Sequence, residues 1–118
     1  MYVDGYLYVI RTDRKEEFIE FAKEMSALFR RHGALRVMEC WEEEVPEGKM
    51  TSMPMAVSRQ EGEAILFSWV EWESKEIRDA VCGSIHTEAE KVPYDKTLFD
   101  MTRMAMGGFQ VVVDEKAS

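Results

Sequence analysis

Asp4 stands between Tyr2 and Tyr6 in an opening run of bulky residues, Met-Tyr-Val-Asp-Gly-Tyr-Leu-Tyr-Val-Ile. A carboxylate on an aromatic strand face needs a partner, because burying an unpaired charge is expensive. Arg103, at the start of the last predicted strand, is placed to reach it. Asp4 is then either the acid of a pocket or half of a structural ion pair, and the pair is favoured. His32 falls on the apolar stripe of a predicted helix, in its last turn. There an imidazole can face a pocket and move a proton near neutral pH. It can equally complement the C-terminal helix dipole, which is the favoured role.

The remaining candidates are weaker. Cys82 and His86 share a helix face, with Glu90 one turn on. Closed zinc sites take four ligands and catalytic ones three, so no metal is expected here. Nine methionines include Met50, Met53 and Met55 in one loop and Met101, Met104 and Met106 near the last strand. Thioethers adapt to irregular apolar space, so these groups line a ligand cavity or fill core gaps with equal ease. Gly107-Gly108 suggests a bulge or a close backbone approach. Gly48-Lys49 lacks the earlier glycine of a phosphate loop, and neither a GxSxG nor an HExxH string occurs. Neither Cys40 nor Cys82 has the surroundings of a thiol nucleophile. No cofactor is implied.

These residues are positioned by a short series of elements. Residues 2–10 are predicted as a strand with an aliphatic face (Val3, Gly5, Leu7, Val9) and an aromatic one (Tyr2, Tyr6, Tyr8). Asp13, with Glu16 three residues on, predicts a capped helix start. Phe18, Phe21, Ala22, Met25, Leu28 and Phe29 follow at helical spacing, and Gly33 stops the helix. Residues 34–43 read as an edge strand. The connection 44–62 is long for a compact domain and apolar enough to pack on something. A short extra strand is expected near 54–58. Residues 63–73 are apolar on both faces, as a central strand is. Ser74 caps a second helix carrying Ile77, Ala80, Val81, Ile85 and Ala89. A linker follows Pro93, and residues 102–113 form the last strand.

The order β-α-β-β-α-β predicts an α+β, ferredoxin-like arrangement of residues 1–118 as one domain. Right-handed crossovers give a four-stranded antiparallel sheet in the order 4-1-3-2, with both helices on one face. The second face then needs a cover, because a large exposed apolar patch usually marks an interface. The expectation is a two-fold homodimer through Tyr2, Tyr6 and Tyr8, with Val3, Leu7 and Val9 turned to the helices.

Composition removes several partners. The net charge is −8, and the 15 basic residues are scattered. Phosphate neutralisation needs clustered Lys and Arg, so nucleic acid is not expected as a partner. An anionic membrane would repel this surface, and no run is long enough to span one. Two unpaired cysteines and no apolar leader point to a reducing, cytoplasmic setting.

Several strings resemble one family. They are Met-Tyr-Val-Asp-Gly at 1–5, His-Gly-Ala-Leu at 32–35, Glu-Cys at 39–40 and Val-Pro-Glu-Gly-Lys-Met-Thr-Ser at 45–52. Phe-Ser-Trp at 67–69, Arg-Asp-Ala-Val at 78–81 and Arg-Met-Ala-Met-Gly-Gly-Phe at 103–109 complete the set. Together they are similar to the domain-of-unknown-function 1428 family, the YbaA-like proteins, nearly end to end. The resemblance implies a dimeric α/β-barrel fold and brings no activity and no catalytic residues. Other dimeric α/β barrels include cofactor-independent monooxygenases, but fold alone is a weak warrant for function.

Two functional expectations follow. One is a dimeric small-molecule binder or monooxygenase-like enzyme. Its apolar pocket lies between helices and sheet, roofed by loop 44–62 and lined by Phe21, Met25, Phe29, His32 and Trp69, with Asp4 as the other polar candidate. It would use shape and one polar group rather than a metal. The alternative is a non-catalytic dimeric module whose partner is another protein.

Overall fold

The computed structural model of the chain describes residues 1–118. It contains strand β1 (Tyr2–Arg11), helix α1 (Lys15–Arg31), strand β2 (Arg36–Trp41) and a one-turn helix α2 (Met53–Ala56). Strand β3 (Glu63–Trp72), helix α3 (Lys75–Ala89) and strand β4 (Ala105–Gln110) complete it. The strands form one antiparallel sheet in the order β2-β3-β1-β4, the expected order read from the opposite edge. Both long helices lie on one face, where Leu28 of α1 and Ile85 of α3 meet Val70 and Trp72. The α+β reading of the sequence is borne out, and the strand order is consistent with the ferredoxin-like arrangement.

Which strand face meets the helices is the reverse of the expectation. Tyr8 and Ile10 pack with Phe18 of α1 and Leu66, and Tyr2 and Tyr6 pack beside Leu28 and Trp72. The aromatic face is therefore the helix-covered one. Its hydroxyls decide the matter: Tyr8 and Tyr2 find polar partners there, which a buried phenol requires. The bare face carries Val3, Gly5 and Leu7, opposite Glu71, Trp69 and Phe67 of β3. Phe67 is 48% exposed and Phe109 61%.

Local sequence accounts for most element ends. Gly33, at φ 108°, lets Ala34 N–H reach back to the Phe29 carbonyl, closing α1 as the glycine predicts. Ser74 Oγ accepts from Ile77 N–H and starts α3. Asp13 does not cap α1. It lies in a 3-10 turn, Thr12–Arg14, and accepts from Arg11 Nε at 3.3 Å.

The connection 44–62 holds a helix, not the expected strand near 54–58. Ser52 Oγ accepts from Met55 N–H, and Pro54 suits a first helical turn. The turn seats fully buried Val57 against Val9 and Ile65, with Val45 and Leu7 around them. The connection thus covers one end of the bare face and does not roof the helix side. The helix side is roofed instead by residues 94–104, where Phe99 stacks within 5.2–6.1 Å of Phe21, Tyr8, Tyr94 and Phe18. The last strand is shorter than expected, because Met101–Arg103 form a 3-10 turn and pairing ends at Gln110.

Candidate functional site

Strands β1, β2 and β3 bring three polar groups together beneath α1. Glu39 of edge strand β2 lies opposite Ser68 of β3, and Ser68 lies opposite Tyr6 of β1. Tyr8, two residues on, reaches across β3 and donates its hydroxyl to Glu39 Oε2 at 2.6 Å. Ser68 is the one fully buried polar side chain of the protein. Burial raises the Glu39 pKa above the usual 4.5, while hydrogen bonds from Tyr8 and Ser68 act the other way. Burial, reinforced by the Glu39 charge, pushes the Tyr8 phenol far up, so it stays protonated and donates.

This group faces an apolar cleft of about 200 Å³ between the sheet and α1. Met25, Phe29, Val70, Phe99 and Met104 line it, and Glu39 is its only ionisable carboxylate. A cavity of about 390 Å³ continues toward α3, sharing Tyr6, Met25, Phe29 and Met106. Another, of about 380 Å³, opens between α1 and β2 and shares Phe18, Ser26 and Glu39. Glu39 is thus a common wall of two spaces. Apolar walls with a few converging polar groups are the ordinary form of a small-molecule site.

The sequence candidates divide between these places. Phe21, Met25 and Phe29, three of the named lining candidates, lie along the cleft. Asp4 lines the α3-side cavity together with Arg78, Cys82 and His86. It accepts from Trp72 Nε1 at 3.0 Å and lies 3.4 Å from Arg78 Nε. Arg103, its expected partner, is at the other end of the strand pair and clamps Glu63 with two hydrogen bonds of 2.7 and 2.6 Å. His32 lines none of these cavities: its Nε2 lies 3.1 Å from Glu88 Oε1, joining the end of α1 to α3. Trp69 is on the bare face, its indole donating to Glu71 and its ring 5.7 Å from Phe67. His86 is exposed and pairs with Glu90 at 3.4 Å. Cys40 and Cys82 are free thiols.

The methionines also separate. Met101, Met104 and Met106 line the cleft, whereas Met53 faces a groove on the bare side and Met50 is 97% exposed. The sequence reading gave Tyr8 to a dimer face and made neither Glu39 nor Ser68 a site candidate, yet a signal existed. Glu39 alternates with Val37 and Trp41 on one strand face, and Ser68 interrupts an apolar central strand. A polar residue at such a position needs a partner for the same reason Asp4 does.

Comparison with known proteins places the chain among relatives of like length. The uncharacterized protein YbaA of Escherichia coli (strain K12) is 40% identical over 115 residues, covering 97% of this chain and 98% of its own. The YbaA of Shigella flexneri matches with the same identity and coverage. Among solved structures, a de novo designed protein, Foldit4, aligns over 95% of this chain and 100% of its own at 16% identity, with a TM-score of 0.47. Residues 1–101, which hold Asp4, Tyr8, Glu39, Ser68 and Arg78, match the family described as protein of unknown function (DUF1428), and the chain belongs to that family.

Proposed function

We propose that this protein binds a small, largely apolar molecule in the helix-side cleft and recognises its polar end with Glu39, Tyr8 and Ser68. The observation that carries this is the hydrogen-bonded pair Tyr8–Glu39, with buried Ser68, on the floor of a mostly apolar cleft. A ligand hydroxyl there would donate to Glu39, whose second oxygen already accepts from Tyr8. In the monooxygenase-like form of this function, Glu39 is the base that takes that proton, since a raised carboxylate pKa improves the match to a weakly acidic hydroxyl.

The working unit on this proposal is a homodimer, now through the bare sheet face rather than the tyrosines. Phe67, Trp69 and Phe109 support it, because exposed apolar patches of that kind mark interfaces. The non-catalytic dimeric module draws on the same patch and would leave the cleft unused.

A thermal-shift screen with small phenols and quinone-like compounds separates the two. Binding to the native state raises the melting temperature by mass action. A rise in the wild type that disappears in Ser26→Phe, which fills the cleft, supports binding at this place. No rise with any compound at large excess overturns it.

A further inference from the structure

The space between α1 and β2 differs from its surroundings in charge. The chain carries −8, and Arg11, Arg14, Arg31, Arg59, Arg78 and Arg103 are each held by a carboxylate. Arg36, Lys49, Lys91, Lys96 and Lys116 enter no ion pair, but none of them lines this space. Lys15 and Arg30 are unpaired within it, and Lys23 has only exposed Glu20 at 3.7 Å. All three line the cavity of about 380 Å³, whose other walls include Phe18, Trp41 and Glu39. They recur on one face of α1 with Ile19, Ala22 and Ser26, as helical periodicity demands. Lys15 Nζ sits 5.1 Å from the Trp41 ring centroid, which sets a cation beside a flat apolar wall.

Resting on the cleft-binding function above, we infer that the ligand is an organic anion: a ring-bearing carboxylate or sulfonate. Lys15, Lys23 and Arg30 attract its charged group, and Trp41 with the inner cleft takes its apolar body. Two unpaired cations and a third beside only exposed Glu20 gather on one wall of this cavity, which gives an anion a favourable local field beside apolar surface. The volume also lies within the usual range for small-molecule sites. Glu39 is the only acid in the cavity wall, and its Oε2 is already occupied by the Tyr8 hydroxyl.

Isothermal titration of the full chain with 2-naphthoate and with 2-naphthol tests this. The two probes share a ring system and differ in charge. At low salt the naphthoate should bind about tenfold more tightly, the order expected of one charge-assisted hydrogen bond. That preference should shrink at high salt and vanish in the Lys15→Gln, Lys23→Gln, Arg30→Gln triple variant, with naphthol binding unchanged. The three residues are exposed, so the triple variant should keep its fold. If it does not, the Lys15→Gln, Arg30→Gln double variant reports the same preference. Equal affinity for both probes in the wild type, or a preference that survives in the variants, overturns the anion assignment. Naphthol binding that is lost in Ser26→Phe without any naphthoate preference leaves the cleft intact and overturns only the anion. Failure of both probes overturns cleft and anion together.

Discussion

The indole N–H of Trp72 donates to the carboxylate of Asp4 at 3.0 Å, joining the last residue of β3 to the third of β1. Arg78 Nε lies 3.4 Å from the same oxygen, and Arg78 donates from Nη2 to the Tyr2 hydroxyl at 2.8 Å. The fully buried Trp72 depends on this acid, and the partly buried Arg78 shares itself between Asp4 and Asp79, whose Oδ1 lies 3.0 Å from Nη1. Asp4→Ala would strand the indole N–H and take away one of the two carboxylates beside the guanidinium. The expected loss is about 2–3 kcal/mol of unfolding free energy. Asp4→Asn keeps an acceptor for Trp72 and should cost less. Urea denaturation of the two variants checks this, and equal costs would show that the indole bond is immaterial.

Gly108 is where β4 lets this cluster approach the backbone. A Cβ there would collide with the Tyr2 hydroxyl and lie 2.8 Å from Arg78 Nη2. Gly108→Ala should push Tyr2 aside, break its bond to Arg78 and cost about 1–3 kcal/mol, as overpacking does. A Cβ at Gly5 meets only the Phe109 ring at 3.6 Å, an ordinary contact. Gly5→Ala should therefore be the milder change in the same melting experiment. A reversed ranking would refute the close approach.

The sequence carried the element order and the strand order, because crossover handedness leaves few topologies for two helices and four strands. It also carried Gly33 and Ser74, whose chemistry is local. The covered sheet face was harder to read, since β1 and β3 are bulky on both sides. One further clue was Arg78. It falls at helical spacing with Val81, Ile85 and Ala89, so a cation sits on the stripe of α3 that faces the sheet. It meets Asp4 and the Tyr2 hydroxyl there, in agreement with the polar partners that the tyrosines find on the helix side. Local pattern marks Glu39 and Ser68 as polar residues on apolar strand faces, but their meeting with Tyr8 needs three strands in register. Residues 94–104 gave no sign of roofing the cleft, since their hold comes from remote contacts such as Arg14 to Asp95 and Arg103 to Glu63.

Two carboxylates should pull the pH dependence of stability in opposite directions. Hydrogen bonds from Arg103 hold the Glu63 pKa below the usual 4.5. A lowered native value means stabilisation that is present above 4.5 and lost as pH falls through the native pKa. Burial raises the Glu39 pKa above 4.5, so the native state binds that proton more tightly than the unfolded chain. Stability then declines as pH rises from 4.5 through the raised value. Glu39→Gln should gain on the wild type as pH rises through that window. Glu63→Gln should fall behind it most at neutral pH, with the gap closing in acid. Denaturant titrations across pH read both, and a Glu39→Gln difference independent of pH would refute the burial of that charge.

The two sheet faces can be told apart by one substitution on each. Phe67 is 48% exposed beside Trp69 on the bare face, whereas Tyr6 packs under α1 and α3 with burial pushing its pKa up to about 12. If the bare face joins two copies, the wild type runs as a dimer in light scattering. Phe67→Glu should then give a folded monomer with little change in helix content, since its side chain meets solvent in the single chain. Tyr6→Glu places a charge among Leu66, Trp72 and the helices, where an unpaired carboxylate is costly, so it should unfold the chain rather than divide it. A wild type that is monomeric at all concentrations, or a Phe67→Glu protein that remains dimeric, would remove the bare face as the interface. A folded, monomeric Tyr6→Glu protein would instead restore the tyrosine face to that role.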